Sequence, residues 1–222
     1  MPVSVHRLAG ALLCLCASSA DAQQMPLPEF KPGDRWVYLE TDLLTKKELG
    51  RSTEVLVAAA SDGPWLDQNR FGRRSLWRLD AATGVPREQF DSADGQPAQR
   101  GGTIGSNDGG CAYPWPLKVG QTFSCSERTS WSNGWKVRYD IKFTVEALET
   151  VQTAAGSFEA YKLVGFGQGL NESNSVQFGH ERLIWLAPAV KREVKSEHRS
   201  RLRNGQFNRV EGRELMEYRA GG

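Results

Sequence analysis

Apolar and polar residues alternate along most of this chain. The clearest run is Trp135-Lys-Val-Arg-Tyr-Asp-Ile-Lys-Phe-Thr-Val-Glu146, where every odd position to Val145 is apolar or aromatic and every even one is polar. Period two over such a length describes one long strand with a dry face and a wet face. A sheet solvated on one side is antiparallel in most folds. The same pattern predicts strands at 35–41, 53–60, 65–69, 75–80, 87–91, 122–129, 158–166, 176–187, 190–202 and 206–218. Turn chemistry separates them at short intervals. Asn133-Gly134 and Asn204-Gly205 suit two-residue hairpins, whose central positions favour positive φ. Helical periodicity is scarce. Residues 42–49 fit either two helical turns ended by Gly50 or the tip of a hairpin. The expected fold is therefore all-β or β-rich, a large curved antiparallel sheet, open or half-barrel, with few helices.

Residues 1–22 follow another rule. Arg7 precedes an apolar run from Leu8 to Ala20 that is too short to span a bilayer, and Ala20-Asp21-Ala22 has the small-x-small form of a leader-peptidase site. This predicts a signal peptide cut after Ala22, followed by one β-rich domain at 23–222 and a periplasmic or secreted location. No later stretch is apolar enough for a transmembrane helix. Residues 91–110 are rich in glycine, with Ile104 as their one large apolar side chain, and are expected to form a mobile loop within that domain.

Cysteine use fits an exported protein. Cys14 and Cys16 lie in the leader, leaving Cys111 and Cys125 as an expected disulfide. It would close a loop of 15 residues (125 − 111 + 1). A metal site is not expected, because His180 and His198 are the only histidines outside the leader. The formal net charge of +2 does not suggest a nucleic-acid partner. No nucleophile elbow, phosphate loop or dinucleotide fingerprint is present, so no catalytic residue and no cofactor are assigned. Gly165-Phe-Gly-Gln-Gly169 reads as a strand kink or bulge. Lys31-Pro-Gly-Asp-Arg-Trp36 and Lys118-Val-Gly-Gln-Thr-Phe123 share Lys-x-Gly-x-x-aromatic, a faint internal echo.

Two surfaces carry functional expectations. Trp135, Val137, Tyr139, Ile141 and Phe143 share one strand face, and with Trp185 as a wall they could border an apolar groove for a ligand. In 191–203 the odd positions are all charged. Arg199, Arg201 and Arg203 end that row as a candidate for an anionic surface; a solvated face with edge-protecting charges is the alternative.

Four segments resemble an uncharacterised family of secreted bacterial β-proteins. They are Pro32-Gly-Asp-Arg-Trp-Val-Tyr38, Tyr113-Pro-Trp-Pro-Leu-Lys-Val-Gly-Gln-Thr-Phe123, Ala155-Gly-Ser-Phe-Glu-Ala-Tyr-Lys-Leu163 and Trp185-Leu-Ala-Pro-Ala-Val-Lys191. The family is similar to lipoprotein-carrier half-barrels, in which a curved antiparallel sheet wraps an apolar cavity. The resemblance implies a non-enzymatic binding protein for a lipophilic or envelope-derived ligand. A structural or protein-interaction module of the envelope, with an envelope protein as partner, is the alternative. A hydrolase built on an unrecognised carboxylate pair comes third. The chain departs from the pattern in the length of 91–110 and in lacking helices to plug a half-barrel.

The leader reading predicts that the exported protein begins at Gln23. Intact-mass measurement of periplasmic material checks this, and a mature chain retaining residues 8–20 would refute it.

Overall fold

The computed structural model describes residues 24–60, 63–93, 96–97, 105–108, 111–131 and 133–222. The expected leader lies outside these. Among the described residues thirteen strands follow one another: β1 (Arg35–Asp42), β2 (Glu48–Ala60), β3 (Gly63–Arg70), β4 (Arg73–Leu79), β5 (Pro86–Ala93), β6 (Gln96–Pro97), β7 (Gly105–Asp108), β8 (Thr122–Ser130), β9 (Lys136–Thr153), β10 (Gly156–Asn171), β11 (Val176–Ala187), β12 (Arg192–Leu202) and β13 (Phe207–Arg219). A 3-10 turn, Pro188–Val190, separates β11 from β12. Period-two patterning located each long strand, but β9 runs on to Thr153, well past the expected end at Glu146, β2 begins before the expected Thr53 and β10 continues past the expected Phe166. Residues 42–49 are a hairpin tip, with the Asp42 side chain accepting from the amides of Leu44 and Thr45.

All ladders are antiparallel, in the order β4-β3-β2-β1-β13-β12-β11-β10-β9-β8-β7-β5-β6, and β4 also pairs with β5. Among the described residues, the flanks of this curved sheet meet through short β7 alone, by two residue pairs with β5 and three with β8. Such a seam links the flanks at one level and does not make a continuous barrel wall. Of the glycine-rich stretch 91–110, the described residues belong to β5, β6 and β7; the others lie outside the described set.

Beside the β7 seam, the segment before β8 is fastened down. Cys111 and Cys125 are joined as a disulfide, a loop of a size that contributes roughly 3 kcal/mol in the chain-entropy model. Met25 and Leu117 exchange backbone hydrogen bonds of 3.0 and 2.8 Å.

The internal echo is a repeated turn. Asp34 N–H donates to the Lys31 carbonyl and Gln121 N–H to that of Lys118, at 3.0 and 3.1 Å. Gly33 and Gly120 have φ of +88° and +86°, the left-handed value the third position of a type II turn requires. In both turns the fourth side chain, Asp34 or Gln121, accepts from the first amide. Each turn then exchanges two backbone hydrogen bonds with a strand, through Leu56 of β2 and Val145 of β9.

The glycines of β10 have a different purpose from the expected kink. The bulge of β10 falls between Lys162 and Leu163, not at the glycines. A Cβ on Gly165 would meet the Phe143 ring at 2.3 Å, and one on Gly169 the Phe178 ring at 2.2 Å. These glycines let aromatic rings of the neighbouring strands lie flat across β10.

Two buried clusters follow from this packing. One gathers Trp36, Tyr38, Leu56, Trp185, Val194 and Leu215. The other gathers Ile141, Phe143, Val145, Tyr161, Leu163 and Leu186.

Asp34 ties the chain ends together. It has no solvent access and accepts from Lys191 Nζ at 2.7 Å, Lys31 N–H at 2.7 Å, Gly221 N–H at 2.9 Å and Tyr218 Oη at 3.3 Å. Removing it strands the Lys191 ammonium. Asp34→Ala should cost about 3–5 kcal/mol, read as a lower urea midpoint; a change below about 0.5 kcal/mol, ordinary for a surface site, would refute the account.

Candidate functional site

β11 sends one side chain inward at every second position: Phe178, His180, Arg182, Ile184 and Leu186. Cross-strand partners on β12 continue the face through Leu202, Ser200, His198 and Ser196. The curvature of the sheet leaves a basin above these residues, with two adjoining lobes.

The first lobe, about 410 Å³, is walled largely by aromatic and aliphatic groups: Phe30, Trp77, Leu79, Val85, Tyr113, Trp115, Trp131, Tyr139 and Leu186. The second, about 460 Å³, is lined by Glu40, Arg70, Arg182, Glu193, Glu197, His198, Arg209, Glu211 and Arg213. Trp77, Tyr113, Arg182, Glu193, His198 and Arg209 belong to both. Each volume lies in the range of small-molecule sites, roughly 300–1,000 Å³.

Charge in the polar lobe is arranged in pairs. Glu40 holds Arg70 at 2.5 Å and Glu193 holds Arg213 at 2.8 Å, while Glu197 pairs at 2.6 Å with Arg199, which lies outside the lobe. Glu211 bridges Arg70 at 3.1 Å and Arg209 at 2.6 Å. Arg182 differs: among the described residues it has no ion-pair or hydrogen-bond partner. Arg209 donates through Nη2 to Glu211 and leaves a buried Nε without an acceptor.

His180 and His198 stand at the junction. Nδ1 of His180 and Nε2 of His198 are 3.1 Å apart, so one of the two rings donates. The Tyr139 ring centroid lies 4.9 Å from that of His180. Burial, then the charges of Arg182 and Arg209, push the pKa of His180 down to about 3. Burial, Arg209, His180 and Arg182 push that of His198 down to about 2. Both rings are neutral at physiological pH, which suits a site that already holds two guanidinium groups. Burial also pushes the Tyr113 hydroxyl up to about 12, so it remains protonated.

Of the expected groove residues, Tyr139 alone lines the basin. Val137, Ile141 and Phe143 are buried, the latter two in the second core cluster. Trp135 precedes β9 and is 48% exposed, because its carbonyl closes the hairpin turn with the amide of Trp131. Trp185 is out of phase with Ile184 and Leu186. Its indole N–H donates to Glu149 at 2.6 Å and its ring lies under the Lys195 ammonium. Arg199 pairs with Glu181 and Glu197, Arg201 lies over the Phe207 ring, and Arg203 donates to Gln177.

No family model matches the chain, and no curated protein does. Its fold is similar to that of a Parabacteroides distasonis protein described as a lipoprotein, with a TM-score of 0.56 at 12% identity over 89% of this chain and 100% of that one. A Bacteroides fragilis protein described as exported, with a YmcC-like fold, gives 0.49 at 13% identity over 89% and 100%. An Escherichia coli protein described as the hypothetical lipoprotein YmcC gives 0.41 at 12% identity over 84% and 85%. The Parabacteroides likeness shows a shared architecture of the whole sheet and extends no further than the fold.

The neutral histidine pair has a stability consequence. In the unfolded chain both rings protonate near pH 6.5, whereas in the fold they stay neutral to much lower pH. The unfolded state therefore binds more protons below about pH 6.5, and stability declines as pH falls through that value. The urea midpoint should drop between pH 7.5 and 5.0, and His198→Asn should flatten that slope. An unchanged slope in the variant would refute the assignment.

Proposed function

We propose that this protein is an exported, non-enzymatic binding protein of the cell envelope whose interior basin takes a lipophilic ligand. The observation that carries the reading is the aromatic-walled lobe of about 410 Å³ beside a charged one. Apolar walls with a few converging polar groups are the usual make-up of small-molecule sites. The leader-like first 22 residues support export, as does the likeness of the fold to a protein described as a lipoprotein. The pairing of each polar-lobe carboxylate with a cation supports a binding role over a hydrolytic one, since a general acid or base needs a proton it can release or take up near neutral pH.

A neutral apolar probe, N-phenyl-1-naphthylamine, tests the reading without involving charge. Titration into delipidated protein should give saturable fluorescence, with energy transfer from the tryptophans that line the lobe. Tyr139→Ala, at the mouth of the histidine pair, should weaken uptake about ten-fold while leaving the protein folded. Absence of saturable uptake by the wild type would overturn the proposal in favour of an interaction module.

A further inference from the structure

We propose that Arg182 is the anchor for the headgroup of a monoanionic amphiphile, a lipophilic carboxylic acid, whose apolar part occupies the aromatic lobe. The inference rests on the binding role above and names its ligand class.

Arg182 projects from the middle of β11, between His180 and Ile184 on the inward face, and borders both lobes. A guanidinium in such surroundings is ordinarily committed to a carboxylate, because desolvating an unpaired charge is costly. Its neighbours follow that rule. Arg70, Arg209 and Arg213 each hold a glutamate, and Arg192 holds Glu54 at 2.7 Å. Arg182 holds none among the described residues. The groups facing it cannot supply the missing charge. His180 and His198 are neutral, Tyr113 and Tyr139 are protonated, and Glu193 is taken by Arg213. Glu127 also lines the aromatic lobe but makes no ion pair with Arg182; its Oε1 accepts from the Thr129 hydroxyl.

The available donor set matches a carboxylate. Arg182 offers a planar fork for two parallel hydrogen bonds. One guanidinium without a carboxylate of its own balances one negative charge, so a monoanion fits better than a dianion such as a phosphate monoester. Beyond the guanidinium, Phe30, Trp77, Leu79, Val85, Trp131 and Leu186 give the lobe an apolar stretch of wall, which suits an apolar remainder of the ligand.

The test compares cis-parinaric acid with its methyl ester, which differ in the headgroup alone. Binding is read by energy transfer from tryptophan in the delipidated full-length mature protein. Wild type should bind the acid about ten-fold or more tightly than the ester, the size expected for charge-assisted hydrogen bonds. Arg182→Gln should erase that preference while retaining ester binding, and Arg182→Lys should keep part of it. Equal affinity of wild type for acid and ester would overturn the anchor and leave the lipophilic site standing. An undiminished preference in Arg182→Gln would do the same. If neither probe nor the neutral naphthylamine binds, both the anchor and the binding role fall together. The wild-type acid-to-ester ratio needs no variant, so poor folding of a substituted protein does not blunt the test.

Discussion

The interior of the sheet is organised around one buried carboxylate. Glu54, on β2, is 1% exposed. It meets Arg192 of β12 at 2.7 Å, Arg213 of β13, and the Gln68 amide of β3 at 2.8 Å. Burial alone would raise its pKa, but the two guanidinium groups overcome that and hold it at about 2. The arginines in turn cover aromatic faces: Arg192 lies 5.3 Å from the Trp36 centroid and Arg213 3.6 Å from that of Tyr38. Trp36 and Tyr38 then bond back to the carbonyls of Val190 and Glu193. Three consecutive strands, β1 to β3, and two distant in sequence, β12 and β13, thus share one electrostatic knot. None of its members tolerates loss of a partner, because a buried ion left alone costs more than the pair contributes.

That knot explains why the basin stays open. A sheet of this breadth, curved about its own concave face and with no α-helix among the described residues to fill it, has to satisfy the inner face by other means. On the Glu54 side the filling is charge and aromatic stacking. On the Phe143 side it is apolar packing, made dense by rings that lie over glycines of β10. Between the two the inward side chains are long, polar or aromatic, and they meet the facing flank across a gap. The basin is the space where neither kind of packing is complete, which places the unpaired Arg182 at the boundary of the charged and apolar halves.

Much of this architecture was legible in the chain. Alternation located the strands because period two is enforced residue by residue by the pleat. The Lys-x-Gly-x-x-aromatic echo marked two equivalent turns, since positive φ at the third position demands a residue such as glycine. The disulfide followed from cysteine count and compartment. The site was harder to read because its residues arrive singly from many strands, and no local spacing records which flank faces which. A row along one strand, such as Trp135 to Val145, is what a linear reading can see, and most of that row became closed core. Long-range packing decided the rest: β9 pairs with β10 along nearly its whole length and with β8 along its first half, Ile141 and Phe143 are covered by Met25, Leu117 and Ile184, and Tyr139 lies beside His180.

One signal for the site was nevertheless present. In Phe178-x-His180-x-Arg182-x-Ile184-x-Leu186 an arginine keeps phase with four residues that belong inside. Charged residues in phase with an apolar face break the consistency between local pattern and fold, and such breaks are expected where function constrains the sequence. The same test separates Arg182 from Arg199, Arg201 and Arg203. Those three alternate with Ser200 and Leu202, so they occupy the opposite face of β12 from the basin and find partners on neighbouring strands. A run of cations on the wet face satisfies solubility and edge protection without any ligand. A single cation on the dry face satisfies neither, and its phase against its neighbours is the stronger indication of a binding role.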